Sequence, residues 1–354
     1  MLENHLLLTR LRRRRTYIAI SLVAVLTLLV AVIGAYQWSL TAINKSSTDE
    51  VRVVIESGDS ARMIADKLYG ADLIKSKFSF HVYTELTRTR DNLQAGGYTL
   101  SQSLSVADIV DHMSTGRSDE FDVSIIPGLT LKQQYDDELE GSFAEQGFSA
   151  DEISRALGAT YDSPLFAQKP AGTSLEGYIY PDTYRIAANG DLSTVLDKSF
   201  EEFYRVIQEN NIEQALAQKQ LTLHEGLTLA SIVQKEVSDE QDQRQVAQVF
   251  YSRIADDIAL GSDVTFLYAA ELMGVEPKIG LDSPYNTRKY KGLPPGPIAN
   301  FNLSALKAVA DPAPGEFLYF VADPEGNTYY ARTLEEHEAN VERYNRGSRS
   351  EFSY

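Results

Sequence analysis

The sequence predicts an α+β protein with a single N-terminal transmembrane helix, a small βααβ module and a larger mixed α/β domain. Three observations support this. Residues 16–44 contain no charged side chain and are strongly apolar. Residues 51–117 show strand, helix, helix and strand patterns in that order. Residues 118–345 mix amphipathic helices with short β-prone runs, which is typical of an α+β catalytic or binding domain.

The first forty residues predict a membrane anchor with its N-terminus in the cytoplasm. "RLRRRR" at residues 10–15 precedes the apolar run, and about 20 apolar residues suffice to span a bilayer. Positive charge stays on the cytoplasmic side, so we expect a tail over 1–15 and a span over 16–38. Aromatic side chains, which favour the membrane interface, lie at both ends of this span: Tyr17, Tyr36 and Trp38. A cleaved signal peptide is the alternative, but its apolar core is about 7–15 residues and ends in a small-residue cleavage site.

Charge and cysteine content exclude several function classes. The chain has a formal net charge of −17, and because residues 1–38 contribute +4, the remainder carries −21. Such an acidic body is a poor candidate for binding nucleic acid or anionic lipid headgroups. The absence of cysteine excludes disulfides, thiol catalysis and cysteine-ligated metals.

Turn and capping patterns divide the exported part. Residues 39–50 are polar and predict a linker, residues 51–117 a compact module, residues 118–345 a second domain, and residues 346–354 a frayed tail. Ser105 and Asp108 have capping-box spacing, with Gly116 as the helix stop. "FDVSIIPG" predicts a strand that ends at Pro127, and a helix is expected after Thr130. "EFLYFVAD" predicts a core strand, and residues 193–220 an amphipathic helix.

The stretch "LTLHEGLTLASIVQKEV" predicts a helix with an inward-facing glutamate near its end. Thr222 and Glu225 have capping-box spacing, so the helix begins there. At about 100° per residue, Glu236 extends the apolar stripe of Leu229, Ile232 and Val233, while Lys235 is rotated towards solvent. A carboxyl among apolar neighbours has a raised pKa, which suits a general acid. The alternative is an ordinary helix-end glutamate in a salt bridge.

A helix–helix corner and a rigid loop follow this glutamate. Ser238 and Gln241 have capping-box spacing and predict that a new helix begins there. "SPYNTRKYKGLPPGPI" contains four prolines and two glycines, which forbid regular structure and stiffen the loop. It also bears Tyr285, Asn286 and Thr287, and such aromatic and amide groups are suited to binding sugar. A purely structural loop is the alternative.

Several of these stretches, taken together, resemble one enzyme family. "LASIVQKEV", "SDVTFLYAAE", "SPYNT…GLPPGPI" and "LYFVAD" occur in the order found in the endolytic murein transglycosylases of the YceG-like (MltG) family, and "GYIYPDTY" is similar to another stretch of that family. The resemblance covers about residues 51–340. It departs from the family at Gln234, Val264, Phe301 and Asn302. It implies that the βααβ module is a LysM-like subdomain associated with glycan binding.

The resemblance also implies an activity. It implies an enzyme of the bacterial inner membrane that cuts nascent peptidoglycan between N-acetylmuramic acid and N-acetylglucosamine. The cut leaves a 1,6-anhydro end and terminates strand elongation, beside peptidoglycan synthases as possible partners. The family's catalytic glutamate falls on Glu236, and the candidates for substrate binding are Asp263, Thr265, Tyr285 and Asn286.

Two other functions stay open at this point. The first is an inverting glycoside hydrolase in which Asp263 activates water. Glu225 is too far away to be this second carboxylate, because it lies about 16 Å before Glu236 along the helix. The second is a non-catalytic, membrane-anchored glycan-binding or scaffold protein. No metal or other cofactor is expected, because the five histidines have no ligand spacing and no phosphate-binding loop occurs.

Overall fold

The computed structural model describes residues 2–115, 119–136 and 138–344. The expected tail at 346–354 and the expected helix stop at Gly116 lie outside these residues. The chain divides into two compact units. Unit one contains the residues up to 121 together with 187–190, and unit two contains residues 122–186 and those from 191 onwards.

The described residues contain twelve α-helices and three two-stranded sheets, which is the mixed α+β class that the sequence predicts. The helices are α1 (Leu2–Ser39), α2 (Ala61–Gly70), α3 (Lys77–Leu86), α4 (Val106–Ser114), α5 (Ala150–Gly158), α6 (Leu192–Glu209), α7 (Ile212–Gln218), α8 (Leu223–Glu236), α9 (Glu240–Ala255), α10 (Asp263–Met273), α11 (Leu303–Ala310) and α12 (Leu334–Tyr344). The strands are β1 (Glu50–Ile55), β2 (Gly96–Ser101), β3 (Glu120–Ser124), β4 (Thr183–Ala187), β5 (Tyr319–Ala322) and β6 (Thr328–Ala331). The sheets pair β1 with β2, β3 with β4 and β5 with β6.

Unit one has the predicted order of strand, helix, helix, strand and helix. β1 and β2 are antiparallel, with Val53 opposite Tyr98, and their inner faces meet the apolar stripes of α2, α3 and α4. The Ser105–Asp108 capping box at the start of α4 is present, as expected. The predicted element order is therefore confirmed, whereas the LysM-like character of the module remains a prediction.

A short return of the chain completes unit one. The Arg52 guanidinium donates to the carbonyl oxygens of Ala188 and Gly190 at 2.6 and 2.7 Å. A Cβ at Gly97 would lie 2.0 Å from the backbone nitrogen of Asn189, so only glycine permits this close approach. These contacts explain why residues 187–190 belong to this unit.

The N-terminal helix α1 is longer than the predicted span. It begins at Leu2, so the expected tail is helical from its second residue. Residues 20–39 are long and apolar enough to cross a membrane, which overlaps the span predicted at 16–38. The chain after α1 is bonded to the module: the Val106 amide donates to the Leu40 carbonyl at 3.0 Å and the Asn44 amide to the Gln102 carbonyl at 3.1 Å. The predicted linker over 39–50 is therefore partly attached to unit one.

Unit two is built around the almost completely buried helix α8, which α7, α9, α10 and α11 contact. A helix does restart after α8, but its N-cap is Asp239 rather than Ser238, because the Asp239 carboxylate accepts from two amides of the first turn. The amphipathic stretch after residue 192 forms two helices, α6 and α7, because Asn211 adopts a left-handed conformation with φ of 53°.

Three local predictions for unit two need correction. β3 ends at Ser124, before Pro127. Thr130 and Gln133 make the reciprocal capping bonds at 3.0 and 3.2 Å, but only a 3₁₀ turn follows. β5 forms as expected, but it is half-buried in a hairpin with β6 rather than a core strand. In each case the predicted kind of local structure forms, but packing against the rest of the unit sets the length of the element or how deeply it is buried.

Candidate functional site

The predicted helix around Glu236 is present with its expected faces. The Glu225 carboxylate accepts from the Thr222 amide at 2.8 Å, and the Glu225 amide donates back to the Thr222 hydroxyl at 3.2 Å. The stripe formed by Leu229, Ile232 and Val233 is fully buried. Lys235 is exposed and donates to the Gly128 carbonyl at 3.1 Å. Glu236 is the last residue of α8 and is half-buried beyond the apolar stripe.

The carboxyl of Glu236 is held by one hydroxyl. Ser262 donates a hydrogen bond of 2.5 Å to Oε1. Within the described residues Oε2 makes no hydrogen bond. Glu236 therefore has one oxygen oriented by Ser262 and one oxygen without a hydrogen-bond partner among these residues.

The environment of Glu236 favours its protonated form. Burial raises the pKa of Glu236, and the nearby Asp263 carboxylate raises it further. The Ser262 hydrogen bond and the positive charges of Arg288 and Arg253 act in the opposite direction, but burial is the largest effect and the pKa remains raised. Glu236 can thus keep a proton at a pH where an exposed glutamate would have lost it.

Ser262 lies directly before α10, at its N-cap position, yet its hydroxyl makes no capping bond. Its backbone is held instead: the Gly261 amide donates to the Thr287 carbonyl at 3.0 Å, and the Ser262 amide to the Thr287 hydroxyl at 3.2 Å. The fully buried Thr265 hydroxyl donates to the Ser262 carbonyl at 2.7 Å and lies 2.9 Å from the Thr287 hydroxyl. Thr265 and Thr287 therefore fix the position from which Ser262 reaches Glu236.

Two arginines complete the surroundings of this carboxyl. Arg288 forms an ion pair with Asp263 at the start of α10. Arg253, on α9, donates to the carbonyls of Leu318 and Leu260, each at 2.6 Å, and so holds the segment that leads into Ser262. Both guanidinium groups are near enough to Glu236 to act on it electrostatically.

Hydrogen bonds hold the proline-rich loop (residues 283–298) both to α8 and to neighbouring backbone carbonyls. The Asn286 side chain is fully buried, and its amide donates to the carbonyls of Ile279 and Leu281 at 2.7 and 2.8 Å. His224, on α8, lies 2.9 Å from the Pro295 carbonyl through Nε2 and 2.9 Å from the Tyr178 hydroxyl through Nδ1. Such full engagement is typical of a core histidine, and it gives the loop a fixed position along α8.

A surface pocket of about 500 Å³ lies within this loop. Its lining is mainly proline and tyrosine, with one carboxylate: Asp282, Pro284, Tyr290, Leu293 and Pro295. The Tyr290 hydroxyl donates to Asp282 at 2.5 Å, which orients the exposed ring. An apolar and aromatic floor beside a carboxylate is suited to a sugar ring, whose faces are apolar and whose hydroxyls donate.

A second buried carboxyl, Glu176, was not identified as a site residue from the sequence. Its side chain accepts from the Leu131 amide at 3.1 Å and from the Tyr268 hydroxyl at 3.1 Å, and the residue is only 5% exposed. Burial raises the pKa of Glu176 to about 7, against these hydrogen bonds. Tyr268 also packs edge-on against Tyr285, with ring centroids 5.1 Å apart. The only signal in the sequence was the position of Glu176 in "LEGYIYPDTY".

The structure divides the predicted site residues between two groups. Asp263 and Thr265 lie on the first turn of α10, close to Glu236, together with Thr287, which the sequence analysis also named in the rigid loop. Ser262 and Arg288 belong to the same group, although the sequence did not single them out. Tyr285 instead belongs with Tyr268 and Glu176. Contact of any of these residues with a substrate remains a prediction.

Comparisons with known proteins agree on one family. The sequence model of the YceG-like family matches residues 53–343. Endolytic murein transglycosylases of Streptococcus pneumoniae serotype 2 and Bacillus subtilis are 31% and 28% identical over 86% of this chain. The chain spans 60% of the length of the first and 88% of the second. The crystal structure of a YceG-like protein of Listeria monocytogenes, 29% identical, aligns over 83% of this chain and 99% of its own with a TM-score of 0.54. The chain belongs to the YceG-like family.

Proposed function

We propose that this protein is a membrane-anchored endolytic lytic transglycosylase that cleaves peptidoglycan glycan strands, with Glu236 as its general acid and base. The observation that supports this most directly is the state of Glu236: its pKa is raised by burial, one oxygen is fixed by Ser262, and the other makes no hydrogen bond within the described residues. The relatives in S. pneumoniae and B. subtilis, which are named endolytic murein transglycosylases, support the same activity.

The proposed reaction needs one carboxyl in two steps. Glu236 gives its proton to the glycosidic oxygen between N-acetylmuramic acid and N-acetylglucosamine, and the bond to the anomeric carbon breaks. The Glu236 carboxylate then takes the proton of the muramic C6 hydroxyl as that oxygen bonds to the anomeric carbon. A 1,6-anhydro end forms and Glu236 regains its proton. Because the C6 hydroxyl belongs to the same sugar, a high effective molarity replaces an enzymic nucleophile or an activated water.

Asp263 would act through its charge in this scheme. Its carboxylate keeps the proton on Glu236 and adds negative charge near the oxocarbenium-like transition state. An inverting hydrolase would need Asp263 as a base that activates water, with the two carboxyls about 6.5–9.5 Å apart. The ion pair with Arg288 engages one oxygen of Asp263, which favours an electrostatic role for this carboxylate over the activation of water and so favours the transglycosylase over this second candidate.

The remaining site residues would position rather than react. Thr265 and Asn286 are buried and bonded to protein atoms, so we assign them to holding Ser262 and the proline-rich loop. Tyr285 would contact the glycan from the second group, the one that contains Glu176, with its ring supported by Tyr268. The pocket that contains Tyr290 would accept a sugar further along the strand.

The apolar helix and the charge pattern support a proposal for the location of the protein. We propose that residues 20–39 of α1 cross the bacterial inner membrane once, with the arginine-rich N-terminus in the cytoplasm and the chain after residue 39 outside. Unit one would then be a glycan-binding, LysM-like module. Nascent strands emerge at this face, so termination of strand elongation and contact with peptidoglycan synthases are part of the proposal.

The test is the reaction of purified full-length protein with uncrosslinked glycan strands. Glu236→Gln keeps the shape of the side chain but removes the proton donor, so we expect the rate to fall by about 10²–10⁴-fold. Glu240→Gln, at an exposed position on the first turn of α9, is the matched control and is expected to keep the wild-type rate. Mass spectrometry of the product ends gives the reaction type. A water-added reducing end, or an unaffected Glu236→Gln rate, would contradict the proposal.

A further inference from the structure

The last turn of the candidate membrane span is enclosed by unit one. Residues 20–35 of α1 are exposed along their whole length, whereas Tyr36 is half-buried and Ser39 is buried. The Ser39 hydroxyl donates to the Ser79 hydroxyl, on α3, at 2.6 Å. The module therefore meets α1 at the point where the span would leave the hydrocarbon region.

The contacts between α1 and α3 also give the direction of α3. Beyond the end of α1, Thr41 accepts from Lys75 at 2.7 Å. Next comes the Ser39–Ser79 hydrogen bond, and one turn earlier on α1 the side chain of Tyr36 lies in the neighbourhood of Tyr83 on α3. Residue numbers on α1 fall as those on α3 rise. Helix α3 therefore runs back along α1, and its C-terminal end points towards the membrane-spanning part.

This end of α3 exposes an apolar side chain at a tight turn. Leu86 is the last residue of α3 and is 72% exposed. It lies three residues beyond Tyr83, about 4.5 Å further along the helix axis. The α3 tip (residues 86–90, "LTRTR") then turns through Arg88, which has a φ of 58°. Arg90 pairs with Glu85, and Asp91 follows, so the charges around the tip balance.

We propose that the α3 tip rests in the interfacial region of the phospholipid bilayer on the exported side, next to the point where α1 emerges. This proposal depends on the membrane anchoring proposed above, and it adds a second contact with the bilayer. Leu86 would insert among the upper acyl segments, and the Arg88 guanidinium would remain at the level of the phosphates while its methylenes lie on apolar surface. Two contacts would fix the orientation of unit one on the membrane, which a single helix cannot do.

The balance of charge at the tip distinguishes this contact from electrostatic attraction. The negative charges of Glu85 and Asp91 balance the positive charges of Arg88 and Arg90, so the contact with the bilayer does not require anionic lipid. The contact should therefore form in purely zwitterionic bilayers and persist at high salt. This also agrees with the acidic character of the exported part, which disfavours binding to anionic surfaces.

The experiment uses the full chain in phosphatidylcholine vesicles with acyl chains brominated near the headgroup, which quench nearby tryptophan. Trp38 is the only tryptophan, so the wild-type protein reports insertion of α1. In a Trp38→Phe background, Leu86→Trp is compared with Phe78→Trp, which is equally exposed at 74% but lies at the other end of α3. We expect position 86 to lose most of its fluorescence with a shift to shorter wavelength, and position 78 to lose little.

Each outcome bears on the proposal. Quenching of Trp38 without stronger quenching at 86 than at 78 would overturn the tip contact and leave the anchor intact. No quenching at Trp38 or at 86 would overturn the anchor and the tip together. Neither result depends on glycan cleavage, so the readout is separate from the catalytic role of Glu236.

Discussion

The hydroxyl of Ser262 donates a 2.5 Å hydrogen bond to Oε1 of Glu236, although Ser262 occupies the N-cap position of α10, where a serine would ordinarily accept from the helix. The helix start thus gives up a capping bond, and the hydroxyl orients the carboxyl of a different helix. The buried pair Thr265 and Thr287 keeps Ser262 in this place.

Ser262→Ala should move the pH profile of the enzyme upwards and lower its rate. The Ser262 hydrogen bond favours the ionised carboxylate, so its removal raises the pKa of Glu236 further. Activity that needs the protonated acid is lost as pH rises through this pKa, so the basic limb of kcat/KM should shift to higher pH. The loss of orientation should reduce kcat about tenfold.

The control for this change is Ser262→Thr, which retains the hydroxyl and should restore the position of the limb. An unshifted limb in Ser262→Ala would mean that the hydrogen bond does not act on the titrating group.

Asp263→Asn should shift the same limb in the opposite direction. Removing the Asp263 charge takes away a contribution that raises the pKa of Glu236, and it leaves Arg288 without its anionic partner. Both effects favour the ionised Glu236, so the basic limb of kcat/KM should move to lower pH while anhydro ends are still formed. Complete loss of activity together with water-added ends in the wild type would support the hydrolase instead.

Glu176→Gln should alter the dependence of stability on pH. The pKa of Glu176 is about 7 in the folded protein, above its ordinary value in the unfolded chain. The folded state therefore holds this proton more tightly, and its stabilising effect is present at low pH and is lost as pH rises from about 4.5 to 7. The loss amounts to at most about 3 kcal/mol. Thermal unfolding between pH 5 and 8 measures it: the wild type should lose stability over this range, and Glu176→Gln should lose less. Parallel curves for the two proteins would contradict the assignment.

Gly177→Ala should destabilise unit two through a steric clash. Gly177 has a φ of +75°, and a Cβ there would lie 2.2 Å from the ring of Pro297, in the proline-rich loop. Gly172 has a nearly identical φ of +77°, but its Cβ would meet nothing within 4 Å. Gly172→Ala therefore reports the backbone strain alone, about 1–2 kcal/mol, and Gly177→Ala should cost about 1–3 kcal/mol more. Chemical denaturation of both variants gives the difference, and equal costs would mean that the contact with Pro297 is not tight.

The sequence determined those features that depend on neighbours within one or two turns. The capping box of Thr222 and Glu225 and the stripe that ends at Glu236 follow from spacing alone, and the structure has both. The same reasoning predicted a helix after Thr130, where only a 3₁₀ turn forms, because capping bonds start a helix but only packing prolongs it. The family, too, was evident from the order of short motifs, each of which would have been weak alone.

Only the tertiary structure decided which groups act on one another. Ser262 lies 26 residues from Glu236, and Glu176 lies 92 residues from Tyr268, so no helical or strand periodicity connects either pair. The same holds for Asn286. The sequence predicted that its side-chain amide contacts a ligand, whereas in the structure this amide donates to a carbonyl of its own loop region. Chemistry of this kind depends on burial and on distances of about 3 Å between side chains remote in sequence, and these are fixed only when the helices pack.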